Sequence, residues 1–227
     1  MIGFYDYTVI LTYLSLVSAS CGIMVALSGG GHPSIGTFFL LFCGLCDAFD
    51  GKVARTKKNR SQAERSFGVQ IDSLSDLVAF GVLPAAIGNG MLRRSALMSL
   101  IYGTRWQRVL EIGLTAILIL YILAALIRLA YYNVTEEERQ KTESGARTHF
   151  TGLPVTSTAL IFPFVLLLQY VIPTDVTPVY FATAVICAAA FLLPVQVRKP
   201  GLRGVLIMVG IGAVEFLLML IGKVLKC

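Results

Sequence analysis

Charge is what this chain has least of. Asp, Glu, Lys and Arg make up only 14% of its 227 residues, against roughly 25% in an ordinary soluble domain. So few charges cannot clothe a water-facing surface, and 56% of the residues are hydrophobic. The apolar runs do not alternate as membrane β-strands must, which excludes a β-barrel. Several approach the ~20 residues that carry a helix across a hydrocarbon core. The expected fold is therefore all-α, a polytopic integral membrane bundle of six to seven helices forming one domain over residues 1–227.

Other absences narrow the function. No soluble segment is large enough to display a basic face, so the net charge of +6 does not signal nucleic-acid binding. Cys43 and Cys46 form a lone C-x-x-C without a second pair or a nearby His, and are expected to pack rather than hold zinc. The N-terminus has no basic n-region and reads as the start of the first span rather than a removed signal. No internal repeat or low-complexity tract is present.

Apolar runs place spans near 8–28, 33–56, 66–91, 108–133, 152–172, 176–196 and 203–223. Segments 52–65, 134–149 and 197–203 hold most of the Lys and Arg and are expected to face the cytoplasm. Arg93, Arg94, Arg105 and Arg108 break that rule. Either 92–105 forms an interfacial helix with snorkelling arginines, or the span count is wrong there. Thr135 followed by Glu138 reads as a capping box opening a short helix.

Against this apolar background stand four acids. Asp47 and Asp50 lie in Asp47-Ala-Phe-Asp50-Gly51-Lys-Val-Ala54-Arg55, Asp72 and Asp76 in Gly68-Val-Gln-Ile-Asp72-Ser-Leu-Ser-Asp76. A charged side chain costs roughly 2.5–3.5 kcal/mol or more at the centre of a membrane helix, so such acids are functional candidates. Asp47, Asp50, Gly51 and Ala54 share one helical face, and Gly68, Asp72 and Asp76 share another. Opposed, the two faces bring four carboxylates to one cavity. Oxygen-only ligation suits hard cations, Mg²⁺, Mn²⁺ or Ca²⁺, and two such ions can clamp a diphosphate. The small residues beside the acids either admit a nucleotide to the backbone or serve helix packing.

The pattern Asp47-x-x-Asp50-Gly51-x-x-Ala54-Arg55, twelve residues, then Gly68-x-x-x-Asp72-x-x-x-Asp76 resembles the signature of the CDP-alcohol phosphatidyltransferases, with all eight positions filled. The resemblance implies a membrane enzyme, usually homodimeric, that transfers a phosphatidyl group from a CDP-linked donor to an alcohol and releases CMP. It implies two metals on Asp47, Asp50, Asp72 and Asp76, with Asp76 the catalytic base. It places the nucleotide donor near Ser15, Ser18, Gly51, Ala54, Arg55 and Gly68, with Ser18 standing where asparagine is usual.

Three more segments resemble the bacterial and archaeal members that use CDP-diacylglycerol and L-serine. They are Asp76-Leu-Val-Ala-Phe-Gly-Val-Leu-Pro-Ala, Arg128-Leu-Ala-Tyr-Tyr-Asn133 and Phe150-Thr-Gly-Leu-Pro154. Arg128 and Asn133 are thereby acceptor candidates, although Tyr131 replaces the usual arginine. Read on its own, Arg128 is either a snorkelling anchor or a guanidinium fork for a carboxylate or phosphate. Lys57, Lys58, Arg60 and Arg65 read as interfacial charges, with specific phosphate ligation the alternative, and Glu215 as a polar contact between helices. Glycerol 3-phosphate or inositol phosphate as acceptor keeps the chemistry and changes the product. A metal-coupled transporter is the non-enzymatic alternative, but it lacks the repeats and broken helices such proteins show. The active site is expected at the cytoplasmic side of the cell membrane.

Overall fold

The computed structural model describes residues 3–28, 32–142, 149–172, 174–198 and 201–225. Helices dominate: α1 (Ile10–Leu27), α2 (Pro33–Ala54), α3 (Gln62–Asp76), α4 (Leu83–Arg94), α5 (Ala96–Leu100), α6 (Arg105–Thr142), α7 (Thr158–Val171), α8 (Thr177–Leu192) and α9 (Leu202–Leu225). A π-helical turn, Leu77–Val82, joins α3 to α4 into one rod. Five of the rods are long and apolar enough to span a membrane, and two shorter apolar helices, Val155–Val171 and Thr177–Leu192, complete seven. The chain is a polytopic helical membrane protein, and the seven apolar runs of the sequence match its seven rods.

Prolines mark the starts. Pro33 and Pro178 sit in the first turns of α2 and α8, where the missing N–H has no intrahelical partner to lose. One local expectation changes. Thr135 does not cap a new helix: α6 runs on to Thr142, and the Thr135 hydroxyl donates back to the Tyr131 and Tyr132 carbonyls. Of the two alternatives for residues 92–105, the span count holds: they are a connection, with the five-residue α5 between two rods and Arg93 and Arg94 exposed in the last turn of α4. One short antiparallel pairing, β1 (His149–Thr151) with β2 (Gln196–Arg198), accompanies the all-α bundle. Residues 29–31, 143–148 and 173 of the expected loops, and Cys227, lie outside the described residues.

The core is aromatic and keyed by a proline. Pro84 has no N–H to return to the preceding turn, and the Phe80 carbonyl there accepts from the Tyr121 hydroxyl at 2.6 Å and from Thr158 at 3.4 Å. The Tyr180 hydroxyl donates to the Pro84 carbonyl at 2.7 Å. Tyr121, Tyr180, Phe80 and Phe162 are fully buried, with Tyr121–Phe162 and Phe162–Tyr180 ring centroids 5.6 and 4.6 Å apart. Aromatic pairs with this geometry contribute about 0.5–1.5 kcal/mol beyond buried area. α4, α6, α7 and α8 are thus locked to the segment that follows Asp76.

α1 packs along α2 and against α4 at small residues. A Cβ on Gly90 would stand 2.6 Å from the Ala26 carbonyl oxygen, and one on Gly22 2.8 Å from the Phe39 Cβ. Near the N-terminus, Lys57 bridges Asp6 at 2.7 Å and Glu64 at 3.0 Å, and Tyr7 and Thr56 share a hydroxyl–hydroxyl bond of 3.1 Å. This strap ties the start of the chain to the α2–α3 turn.

Two outcomes follow from these contacts. Gly90→Ala is expected to lower stability by about 1–3 kcal/mol, because the obstacle is backbone. Gly210→Ala, where nothing lies within 4 Å, is expected to be neutral or slightly stabilising; unfolding in detergent compares them. The Lys57 hydrogen bond holds the Asp6 carboxyl below its ordinary 3.8, and the Asp6 bond raises the Lys57 amine above 10.5. The strap's contribution is present between those two ordinary values, lost as pH falls through the lowered Asp6 value, and lost again as pH rises through the raised Lys57 value. Hydrogen exchange at residues 4–8 is expected to quicken below the lowered Asp6 value, and in Lys57→Ala already at neutral pH.

Candidate active site

The acids are brought together by the way α1 grips both of their helices. The Ser18 hydroxyl donates to the Phe39 carbonyl at 3.1 Å and the Cys43 thiol to the Ser15 carbonyl at 3.3 Å, fastening α1 to α2. The Ser75 hydroxyl donates to the Thr12 carbonyl at 3.1 Å, fastening α3 to the same helix. α3 starts from a complete capping box, with the Glu64 N–H on the Ser61 hydroxyl at 3.2 Å and the Ser61 N–H on the Glu64 carboxylate at 2.7 Å. Asp47 and Asp50 occupy the inner end of α2, Asp72 and Asp76 the last two turns of α3.

Asp50 and Asp76 are buried, Asp47 and Asp72 half-buried. The four sense one another: Asp50 and Asp72 stand within side-chain hydrogen-bond reach, and Asp76 feels the charge of the other three. The Gly51 N–H donates to the Asp50 carboxylate. Among the described residues, the ion pairs engage Asp6, Glu64, Glu136 and Glu137 and none of these four. A cluster of buried carboxylates without a cation requires protons or a bound ion to offset its charge. No three His, Cys, Asp or Glu side chains among the described residues form a ready-made metal cage. In donor chemistry the set still fits a hard divalent cation, being all carboxylate oxygen from two facing helices.

Around the acids, Gly51 and Arg55 are exposed and Ala54 and Gly68 half-buried. Asp47, Gly51 and Arg55 line a cavity of about 320 Å³ with Ala48, Leu202 and Val205. Ser15 and Ser18 are buried in the α1–α2 seam, where the Ser18 hydroxyl serves helix packing. The space beside Gly68 is filled by Arg60, whose Nη2 lies 2.7 Å from the point a Cβ would occupy. Arg60, expected as an interfacial charge, is half-buried with its Nη2 on the Glu64 carbonyl at 3.2 Å.

The acceptor candidates meet the acids from α6. The Asn133 amide donates to the Ser73 hydroxyl, between Asp72 and Asp76, at 2.7 Å. Together with the Tyr121–Phe80 bond it brackets Arg128 at the level of Asp76. Arg128 is 5% exposed, which sets aside the snorkelling anchor. Its guanidinium lies 5.4 Å over the Tyr132 ring. Its Nε would stand 3.3 Å from a Cβ on Gly152, whose φ of +80° and 2.7 Å clearance from the Phe191 carbonyl require glycine. Two motifs far apart in sequence, Arg128-Leu-Ala-Tyr-Tyr-Asn133 and Phe150-Thr-Gly-Leu-Pro154, therefore meet. Tyr131 is exposed.

Sequence does not single out Ser73 or the first turn of α9. Ser73 stands between two acids and is legible by position. The first turn of α9 carries no local signal, nor does the inward fold of Arg60, because both depend on how distant segments pack. Glu215 is buried, and its Oε2 accepts no hydrogen bond among the described residues, so the expected interhelical polar contact is not made by that oxygen.

Comparison with known proteins gives the family. The family model described as CDP-alcohol phosphatidyltransferase matches residues 8–196. The CDP-diacylglycerol–serine O-phosphatidyltransferase of Saccharomyces cerevisiae is 34% identical over 159 residues, 67% of this chain and 49% of that protein. The archaetidylserine synthase of Methanothermobacter thermautotrophicus is 30% identical over 148 residues, 65% of this chain and 53% of that one. A CDP-diacylglycerol–serine O-phosphatidyltransferase of Helicobacter pylori is 30% identical over 125 residues, 55% and 43% of the two chains. The chain spans about half the length of the curated relatives it matches. With all eight signature positions inside the matched region, residues 8–196, the chain belongs to the CDP-alcohol phosphatidyltransferase family.

Proposed function

We propose that this protein transfers the phosphatidyl group of CDP-diacylglycerol to the hydroxyl of L-serine, forming phosphatidylserine and CMP. The observation that carries the reading is the cluster of Asp47, Asp50, Asp72 and Asp76, a carboxylate site with no ion-pair partner among the described residues. Serine as acceptor is supported by the relatives' names and by Arg128 at the level of Asp76.

Asp47, Asp50, Asp72 and Asp76 would hold two divalent ions, Mg²⁺ or Mn²⁺ by their oxygen chemistry. When bound, such ions supply positive charge against the donor diphosphate. Asp76 accepts the serine hydroxyl proton on a carboxylate oxygen. The serine oxygen then bonds to the diacylglycerol-linked phosphorus as the bond from that phosphorus to the bridging oxygen breaks, and the electron pair leaves with CMP. Gly51 and Ala54 keep bulk away from the nucleotide, Gly68 gives room to the Arg60 guanidinium at its edge, Arg55 stands beside the nucleotide, and Ser15 and Ser18 frame the inner wall. Arg128 orients the serine carboxylate through its fork, and Asn133 holds the α3 turn that carries Asp72 and Asp76. The active site faces the cytoplasm, where serine arrives, while the donor enters sideways from the bilayer. One domain performs the reaction, paired as a homodimer.

Asp47→Asn, Asp50→Asn and Asp72→Asn are each expected to drop CMP release below about a tenth of wild type, since metal charge supplies several kcal/mol. Retained turnover at saturating metal contradicts the two-ion site. Asp76→Asn is expected to lose about 10²–10⁴-fold in rate while donor affinity changes little, the mark of a lost base. Parallel collapse of affinity makes Asp76 mainly a metal ligand and puts the base elsewhere. Arg128→Lys keeps the charge and loses the fork, so the Michaelis constant for serine should rise more than that for the donor. Glycerol 3-phosphate outcompeting serine in the wild-type protein overturns the acceptor assignment.

A further inference from the structure

The last helix, α9 (Leu202–Leu225), lies beyond the matched family region, which ends at residue 196. It nevertheless reaches the acids. α9 packs on α2 and α7, and two contacts set its direction on α2. The Phe38 and Phe216 rings stand edge to face at 5.1 Å, while a Cβ on Gly212 would lie 3.8 Å from Leu41 and 3.3 Å from Leu160. As α2 advances from Phe38 to Leu41, its partners on α9 run back from Phe216 to Gly212, so the two helices are antiparallel. At about 1.5 Å per residue, that register carries the first turn of α9 to the level of Asp47–Gly51. The cavity of about 320 Å³ bears this out, with Leu202 and Val205 facing Asp47, Ala48, Gly51 and Arg55. At the other end, Gly222 leaves no room for a side chain against the Tyr170 ring of α7, at 2.7 Å from a Cβ position, which seats the helix.

The two walls of this cavity differ in chemistry. One side presents a carboxylate, a glycine backbone and a guanidinium, with Lys52 at the rim. The other is aliphatic, and Leu202 is 63% exposed. Such a junction matches a molecule whose anionic head continues directly into hydrocarbon. It does not match serine, which is polar throughout, or CMP, which has no hydrocarbon.

We infer that the first turn of α9 is a donor-lipid wall. Leu202 and Val205 contact the first acyl methylenes of the CDP-linked lipid while its diphosphate lies against the acids. The inference rests on the proposed function and adds a specificity element from outside the matched region. α9 reads the lipid half of the donor and leaves the nucleotide half and the acceptor to the rest of the site.

The test uses full-length protein in detergent micelles, with CMP release measured against CDP-diacylglycerol and CDP-glycerol added as an inhibitor lacking acyl chains. Val205→Trp is expected to raise the Michaelis constant for CDP-diacylglycerol about tenfold, equivalent to losing contact with roughly two methylenes. The inhibition constant of CDP-glycerol and the Michaelis constant for serine are expected to stay within about twofold, a change too small to represent one lost methylene contact. Ile207→Trp, exposed on the same helix and away from the cavity, is expected to match wild type. Should Val205→Trp fail to fold, Val205→Ala carries the same comparison with a rise of about threefold, one methylene's worth or less. Equal weakening of CDP-glycerol overturns the inference, because the tryptophan then obstructs the head-group site. So does an unchanged donor constant in a folded variant with active wild type. Wild-type protein that releases no CMP from CDP-diacylglycerol with any alcohol defeats the proposed function first, and the donor-lipid wall with it.

Discussion

Four carboxylates held together inside an apolar bundle are the constraint on which this structure turns. Asp47, Asp50, Asp72 and Asp76 repel one another, and the low polarity around them magnifies the repulsion. Proteins usually relieve such strain with lysine or arginine, yet the ion pairs found here belong to other acids. The cluster is held by packing instead. Ser18 of α1 donates to an α2 carbonyl, while Cys43 of α2 and Ser75 of α3 donate to α1 carbonyls, which keys the two acid-bearing helices onto a common partner. Such a cluster favours whatever offsets its charge, protons or a bound cation.

Behind the acids the bundle stiffens. The π-helical turn begins at Leu77, immediately after Asp76, and such turns recur at functional sites because they re-aim the residues beside them. Pro84 follows, and the Phe80 carbonyl becomes the meeting point of Tyr121 and Thr158. The same α6 that supplies Tyr121 supplies Arg128 and Asn133, so one helix is both a structural post and the proposed acceptor wall. Asn133 on Ser73 closes that arrangement at the inner end.

The legible parts of the chain were those with a local signal. Spans follow from runs of apolar residues, and the acids from helical spacing that puts Asp47 with Asp50 and Asp72 with Asp76. Arg60 was read as a surface charge because nothing nearby in sequence reveals that it folds back over Gly68. Arg128 stood ambiguous until its burial against Gly152 and Tyr132 was seen. Thr135 misled for the opposite reason: a valid local cap pattern was overruled by a helix already in progress, whose carbonyls its hydroxyl satisfies. The β1–β2 pairing joins segments nearly fifty residues apart, beyond the reach of any local pattern.

The helices are unequal in length, and a bilayer must answer to that. α6 spans 38 residues and α8 only 16, roughly 57 Å against 24 Å at the α-helical rise. A hydrocarbon slab is about 30 Å thick. Beside α7 and α8 the lipid tails must compress or the membrane surface dip, whereas α6 tilts or projects past the head groups. Hydrophobic mismatch of this kind costs fractions of a kcal/mol per ångström, enough to enrich shorter-chain lipids along one flank.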